Sequence, residues 1–327
     1  NGKMIAYSFE ERRPLAYTPD QIVIMDINGD NKSILTKELD GDADNIQWSD
    51  DNRSIYFSYD ERGIRKVGQV TLDGKIENAI NGLGGTSLGR PYLSGSYHRS
   101  AESIAFTYGK ASRPADVGVL RNGKVKIITE LNNDLLNHRK LGNINEIIYK
   151  SSFDDQEIQG WYITPPNFDP KKKYPLILEI HGGPHLAYGP QFSAELQIMA
   201  ASGYIVFYNN YRGSTSYGED FALLLQYKYS SSEDFADHMS GIDALINKGF
   251  IDESNLFIAG GSAGGIATAY AIGLTDRFNA AVAAKPVINW LSKTLTADSM
   301  VGQIYHQFPG PPWEIILNII GNARLFH

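Results

Sequence analysis

The chain has 327 residues, 42% of them hydrophobic, and a formal net charge of −7 at neutral pH. That is ample apolar material for a packed core and more chain than one typical domain uses; lysine and arginine are scattered, so no nucleic-acid-binding face is indicated. With no cysteine there is no disulfide framework, thiolate zinc site or cysteine nucleophile, and no run of about eighteen apolar residues is present to span a membrane.

The first part of the chain repeats. SIYFSY (54–59) and TLDGKIENAI (71–80) return at one common offset as SIAFTY (103–108) and LRNGKVKIIT (120–129), and KMIAYS (3–8) with MDINGDNKSIL (25–35) looks like an earlier copy. Each unit joins period-2 runs through Asn-Gly or Asp-Gly, pairs that tolerate positive φ in tight hairpins. Four short strands in about 45 residues is the spacing of a β-propeller blade, favoured here over a plain antiparallel meander. Two to three units are present where a ring needs at least about four, so further blades are expected upstream. GLGGTSLG (82–89) lacks the Gly-Lys-Ser/Thr ending of a phosphate loop and reads as an inter-blade loop.

From about residue 132 the texture changes. EIQGWYITPP, YPLILEIHGG, YIVFYNN, NLFIAG and NAAVAAKP read as strands, the apolar runs suiting a sheet covered on both faces. PQFSAELQIMAASG, SEDFADHMSGIDALINKG and GIATAYAIGL read as helices, the second with Phe235, Met239, Ile242, Leu245 and Ile246 on one stripe and Gly249 as its stop. Strands alternating with helices imply a mostly parallel, doubly wound sheet.

Ser262 stands at the carboxyl end of one of these strands, within Gly260-Gly261-Ser262-Ala263-Gly264, a G-x-S-x-G sequence with strand before and helix after. Side chains at Gly260 and Gly264 would collide across so sharp a turn, and a phosphate loop would need a lysine that is absent. The competing reading is a tight turn with no chemistry. His181-Gly182-Gly183, after an earlier strand, is the type of turn whose backbone N–H groups hold an oxyanion. His181 and His185 are not read as metal ligands, because Gly-Gly-Pro between them forbids the helix that would align them.

HGGPH (181–185), NYRGSTSYGEDF (210–221) and GGSAGG (260–265), behind propeller-like repeats, resemble the prolyl oligopeptidase family, nearest to its acylaminoacyl-peptidase and dipeptidyl-peptidase-like bacterial members. The resemblance implies a serine peptidase acting on short peptides through an acyl-enzyme. It makes Ser262 the nucleophile and gives the oxyanion to the N–H groups of Gly183 and Ala263. Neither metal nor organic cofactor is implied. It also implies a propeller fragment of two to three blades over residues 1–131 and an α/β-hydrolase domain over 132–327 that lacks its last strands. The triad aspartate and histidine are expected beyond this chain; Asp276 lies at the wrong end of the sheet, Glu314 and His327 sit toward a tail (315–327) that departs from the family, and Asp298 with His306 are weak stand-ins. That tail is expected to cover the edge strand NAAVAAKP. Arg212 and Tyr217 are read as turn-stabilising before substrate-contacting, and Tyr188 and Trp290 as pocket-lining or space-filling. An esterase or lipase on the same core, or a non-catalytic chain, are the alternatives. No nucleic-acid or membrane partner is expected, self-association is left open, and a cytoplasmic location is favoured over a periplasmic one.

Overall fold

The structure, a computed structural model, describes residues 2–298 and 308–310. Its first part is three antiparallel sheets in succession. The first holds β1 (Met4–Phe9), β2 (Gln21–Asp26) and β3 (Ser33–Ile34). The second is a four-stranded meander of β4 (Asp44–Trp48), β5 (Ser54–Glu61), β6 (Ile64–Thr71) and β7 (Ile76–Ile80), and the third repeats it with β8 (Tyr97–Ser100), β9 (Ser103–Lys110), β10 (Arg113–Arg121) and β11 (Lys124–Ile127). Successive side chains point to opposite faces of a strand, and the middle sheet stacks on its neighbours through both faces. Ile55, Phe57 and Val70 pack with Ile22, Ile24 and Leu35 of the first sheet, whereas Val67 and Ile80 pack with Tyr97, Ile104 and Phe106 of the third. These are propeller blades.

The turn chemistry differs in detail from the sequence expectation. Asn122-Gly123 has both φ positive (49° and 70°), as a two-residue hairpin turn requires, but at Asp73-Gly74 only the glycine does (89°), within a longer loop. Arg62-Gly63, joining β5 to β6, adopts the tight form without an Asn-Gly signal (47° and 74°).

One helical turn, α1 (Asn133–Leu136), leads to a six-stranded sheet of β12 (Ile144–Lys150), β13 (Glu157–Ile163), β14 (Tyr174–Ile180), β15 (Ile205–Asn210), β16 (Ile251–Gly261) and β17 (Phe278–Ala284). The spatial order is β12-β13-β15-β14-β16-β17. The first two pairings are antiparallel and the last three parallel. Helices α2 (Ala194–Ala201), α3 (Glu219–Ala222), α4 (Ser232–Ile246), α5 (Ala263–Ile272) and α6 (Trp290–Thr296) accompany it. On β15, Ile205 and Phe207 join Met239, Ile242 and Leu245 of α4, while Val206 and Tyr208 join Leu196 and Ala200 of α2. Both faces are therefore covered, which is why the strand is buried at every position. This is the α/β-hydrolase arrangement, following the blades.

Two helix starts are fixed by local chemistry. The Ser193 hydroxyl accepts from Leu196 N–H to cap α2, and Ser231 with Asp234 forms a reciprocal capping box on α4. The strand Ile144–Lys150 was not anticipated: with Ile148 and Lys150 facing solvent and Ile147 and Tyr149 inward, its pattern is that of a half-exposed edge. At the other described edge, β17 leaves Val282 65% exposed. The tail expected to cover it, residues 315–327, lies outside the described residues.

Candidate active site

The site follows from the register of β14 and β16. They run parallel with Ile180 opposite Gly260, so the turn after β14 and the turn after β16 emerge side by side at the carboxyl end of the sheet. The second turn carries Ser262, exposed, at φ 57° and ψ −118°, a conformation that costs an L-residue energy. It is held by Ser262 N–H donating to the Ala284 carbonyl (2.9 Å), while the Ser262 carbonyl accepts from Ile266 N–H (3.0 Å) to start α5. A Cβ at Gly260 would lie 2.3 Å from the Gly264 carbonyl oxygen, and one at Gly264 2.0 Å from that of Ile180. These contacts are with backbone and cannot move aside, so both positions require glycine.

The His181-Gly182-Gly183 turn packs against this serine. The point where a Gly182 Cβ would stand is 3.3 Å from Ser262 Cβ and 3.1 Å from the Gly261 carbonyl oxygen. Gly183 is exposed, with φ +124°. Its N–H finds no acceptor among the described residues. As the first residue of α5, Ala263 has an N–H with no intrahelical acceptor, and the positive end of the helix dipole lies there. The Ala263 carbonyl, in contrast, is occupied by the buried Tyr229 hydroxyl.

His181 is a pillar under this turn. Its ring is fully buried, stacked on Tyr211 at 4.5 Å and edge-on to Tyr188 at 5.2 Å. Nδ1 donates to the Gly182 carbonyl (2.7 Å), and Nε2 lies 2.9 Å from the Ser214 hydroxyl. Burial pushes its pKa down to about 4, so it is neutral near pH 7. His185 donates from Nδ1 to the Gly213 carbonyl (3.0 Å) and stacks on Tyr17 from the blade part (5.9 Å). His238 is buried near Tyr211, its pKa pushed down to about 3 by desolvation and then by His181.

Arg212 and Tyr217 are both held by side-chain hydrogen bonds within the protein. The Arg212 guanidinium is wholly buried and forks onto Asp237 (2.9 Å to each oxygen), with Asp154 at 2.8 Å and Glu233 at 3.1 Å. The Tyr217 hydroxyl donates to Gln159 (2.5 Å) and accepts from Asn210 (2.8 Å). Tyr188 fills space, 1% exposed, and Trp290 lies edge-on to Phe308 at 6.5 Å. Asp298 is exposed just past α6, and Asp276 precedes β17, away from the serine turn. His306, Glu314 and His327 lie outside the described residues. Among the described residues no histidine hydrogen-bonds Ser262, and no group of three or more metal-type side chains could hold a cation.

Tyr92 is the site residue that sequence reasoning missed. Although it belongs to the segment between the second and third blades, its phenolic oxygen accepts the Gly182 N–H at 2.8 Å. Nothing in RPYLSGS signals this, because the partners are ninety positions apart.

Residues 190–317 match the prolyl oligopeptidase family. An uncharacterized peptidase, YuxL, of Bacillus subtilis is 31% identical over 249 residues, covering 75% of this chain and 36% of its own length. Dipeptidyl-peptidase 5 of Porphyromonas gingivalis is 25% identical over 325 residues, 96% of this chain and 45% of its own. The solved acylaminoacyl peptidase of Pyrococcus horikoshii superposes with a TM-score of 0.82 at 26% identity, over 95% of this chain and 48% of that one. The chain thus spans less than half the length of each of these relatives.

Proposed function

We propose that this chain belongs to the prolyl oligopeptidase family and carries the nucleophile and oxyanion site of a serine peptidase of the acylaminoacyl- or dipeptidyl-peptidase type. The single observation that carries the reading is an exposed Ser262 on a positive-φ turn with the Gly182-Gly183 turn packed beside it. The relatives' names support short peptides as the substrate class.

In this reading Ser262 Oγ attacks the scissile carbonyl carbon, and its proton passes to a general base. The carbonyl oxygen becomes an oxyanion that accepts from the N–H groups of Gly183 and Ala263. Backbone donors held by turns of this kind are in place before the reaction, the condition under which such stabilisation is large. The tetrahedral species collapses with the amine leaving protonated, and water hydrolyses the resulting ester. Nothing in these steps draws on a metal or organic cofactor. The base is not assigned to any described residue; His306, outside the described residues, and the exposed Asp298 as its carboxylate are the stand-ins within this sequence. His181 and His238 are unsuited to the role, since both are sealed in the interior and committed to neighbours.

A p-nitrophenyl ester separates acylation from turnover. With the general base in place, the expected result is a burst of one p-nitrophenol per chain, abolished in Ser262→Ala, with N-acylaminoacyl- or dipeptidyl-anilides cleaved where turnover occurs. Ester turnover with inert anilides would favour the esterase reading, and a folded chain without a burst would favour a non-catalytic one.

A further inference from the structure

The segment between the second and third blades does more than connect them. Residues 88–94 lie along residues 187–194 of the hydrolase part as an added strap. Leu93 N–H donates to the Ala187 carbonyl (3.0 Å), Gly189 N–H to the Pro91 carbonyl (3.0 Å), and Ala194 N–H to the Leu88 carbonyl (2.8 Å). Tyr92 and Tyr188 form an antiparallel bridge, with their rings 4.7 Å apart and edge-on. On the other side of Gly183 the same strap reaches β14, where Arg90 Nε lies 2.9 Å from the wholly buried carboxylate of Glu179. The oxyanion turn is therefore gripped at both of its ends by chain from the blade part.

Tyr92 makes the central contact. Its Oη takes the Gly182 N–H at 2.8 Å and stands 3.2 Å from the point where a Gly182 Cβ would be, the same point that lies 3.3 Å from Ser262 Cβ. Gly182 is buried, so without this oxygen its N–H would have to turn to find another acceptor. The peptide plane that follows carries the Gly183 N–H, and rotation of one plane re-aims the next.

We infer that Tyr92 is a positioning residue of the oxyanion site: by accepting the Gly182 N–H it fixes the direction of the Gly183 N–H, so that the blade part sets the geometry of acylation. This rests on the peptidase reading above. It acts through the turn without touching substrate, and it should therefore change the rate of acylation and not the affinity for the acyl donor.

Tyr92→Phe removes only the oxygen and keeps the ring against Tyr188. In p-nitrophenyl ester bursts, the acylation rate constant should fall about tenfold or more, part of what losing a whole donor costs, with amplitude and half-saturating ester concentration unchanged. Amide hydrogen exchange should speed up in peptides covering residues 181–183 and stay unaltered in β15 and β16. Leu93→Ala, which loosens the strap but leaves the hydroxyl, should lower stability without slowing acylation. Equal burst rates in Tyr92→Phe and the parent chain, or unaltered exchange at residues 181–183, would overturn the inference. A parent chain with no burst would overturn the peptidase reading, and exchange at residues 181–183 would still decide whether Tyr92 holds the turn.

Discussion

At the scale of single residues, Arg212 shows how much a side chain can do away from chemistry. It is the largest fully buried side chain in the described part, and its charge is tolerable only because Asp237, Asp154 and Glu233 surround it. The bidentate fork to Asp237 also stops that buried carboxylate from standing unpaired. Removing one partner of such a pair costs more than the pair contributes, because the remaining charge keeps its desolvation penalty. Arg212→Ala should therefore destabilise the chain by about 3–5 kcal/mol, read as a lowered urea midpoint with a similar slope. A loss below about 1 kcal/mol would mean that the network contributes as little as a surface pair.

At the scale of elements, what the sequence made legible was local. The apolar run ending at Ile180 announced a buried strand, and the glycines around Ser262 announced a turn too tight for side chains; the Gly264 contact with the Ile180 carbonyl is the physical reason. The α4 stripe was readable because its periodicity and acidic first turn lie within one stretch. What stayed hidden depends on partners far along the chain. Glu179 sits inside the apolar run with no local hint that Arg90 would lie beside it. The strand Ile144–Lys150 alternates too weakly to stand out, because only one of its faces is buried. Tyr92 was silent for the same reason as Glu179: a contact made by tertiary docking leaves no periodicity behind.

At the scale of the whole molecule, the blade part and the hydrolase part meet through several polar contacts. Arg13 forks onto Glu219, Gly63 N–H donates to the Ser216 hydroxyl (2.8 Å), and Arg90 lies between Glu179 and Glu195. Buried ionisable groups, one of them at this interface, make stability depend on pH from two sides. His181 and His238 have pKa values depressed by burial, so their contribution is present above about pH 6.5 and is lost as pH falls through their folded values. Glu179 is the opposite case: burial pushes it up to about 8, partly offset by Arg90 and reinforced by Glu195. Its contribution is complete below the ordinary carboxyl range and is lost as pH rises toward 8. Between pH 6.5 and 8 Glu179 therefore adds a downward slope. The unfolding free energy should fall as pH rises across that window, and Glu179→Gln should flatten the decline in urea titrations at matched ionic strength. An unchanged slope in that variant would remove Glu179 as its origin.

The proposed chemistry rests on one hydroxyl, and the most direct measurement asks whether it reacts. A fluorophosphonate phosphonylates a serine, with loss of fluoride, only where its oxygen is exposed and activated, and tandem mass spectrometry of the digested adduct identifies the residue. With the general base in place, the account predicts one adduct per chain, on Ser262, absent in Ser262→Ala. A folded chain that remains unmodified, or one that carries the label on another residue, would contradict it.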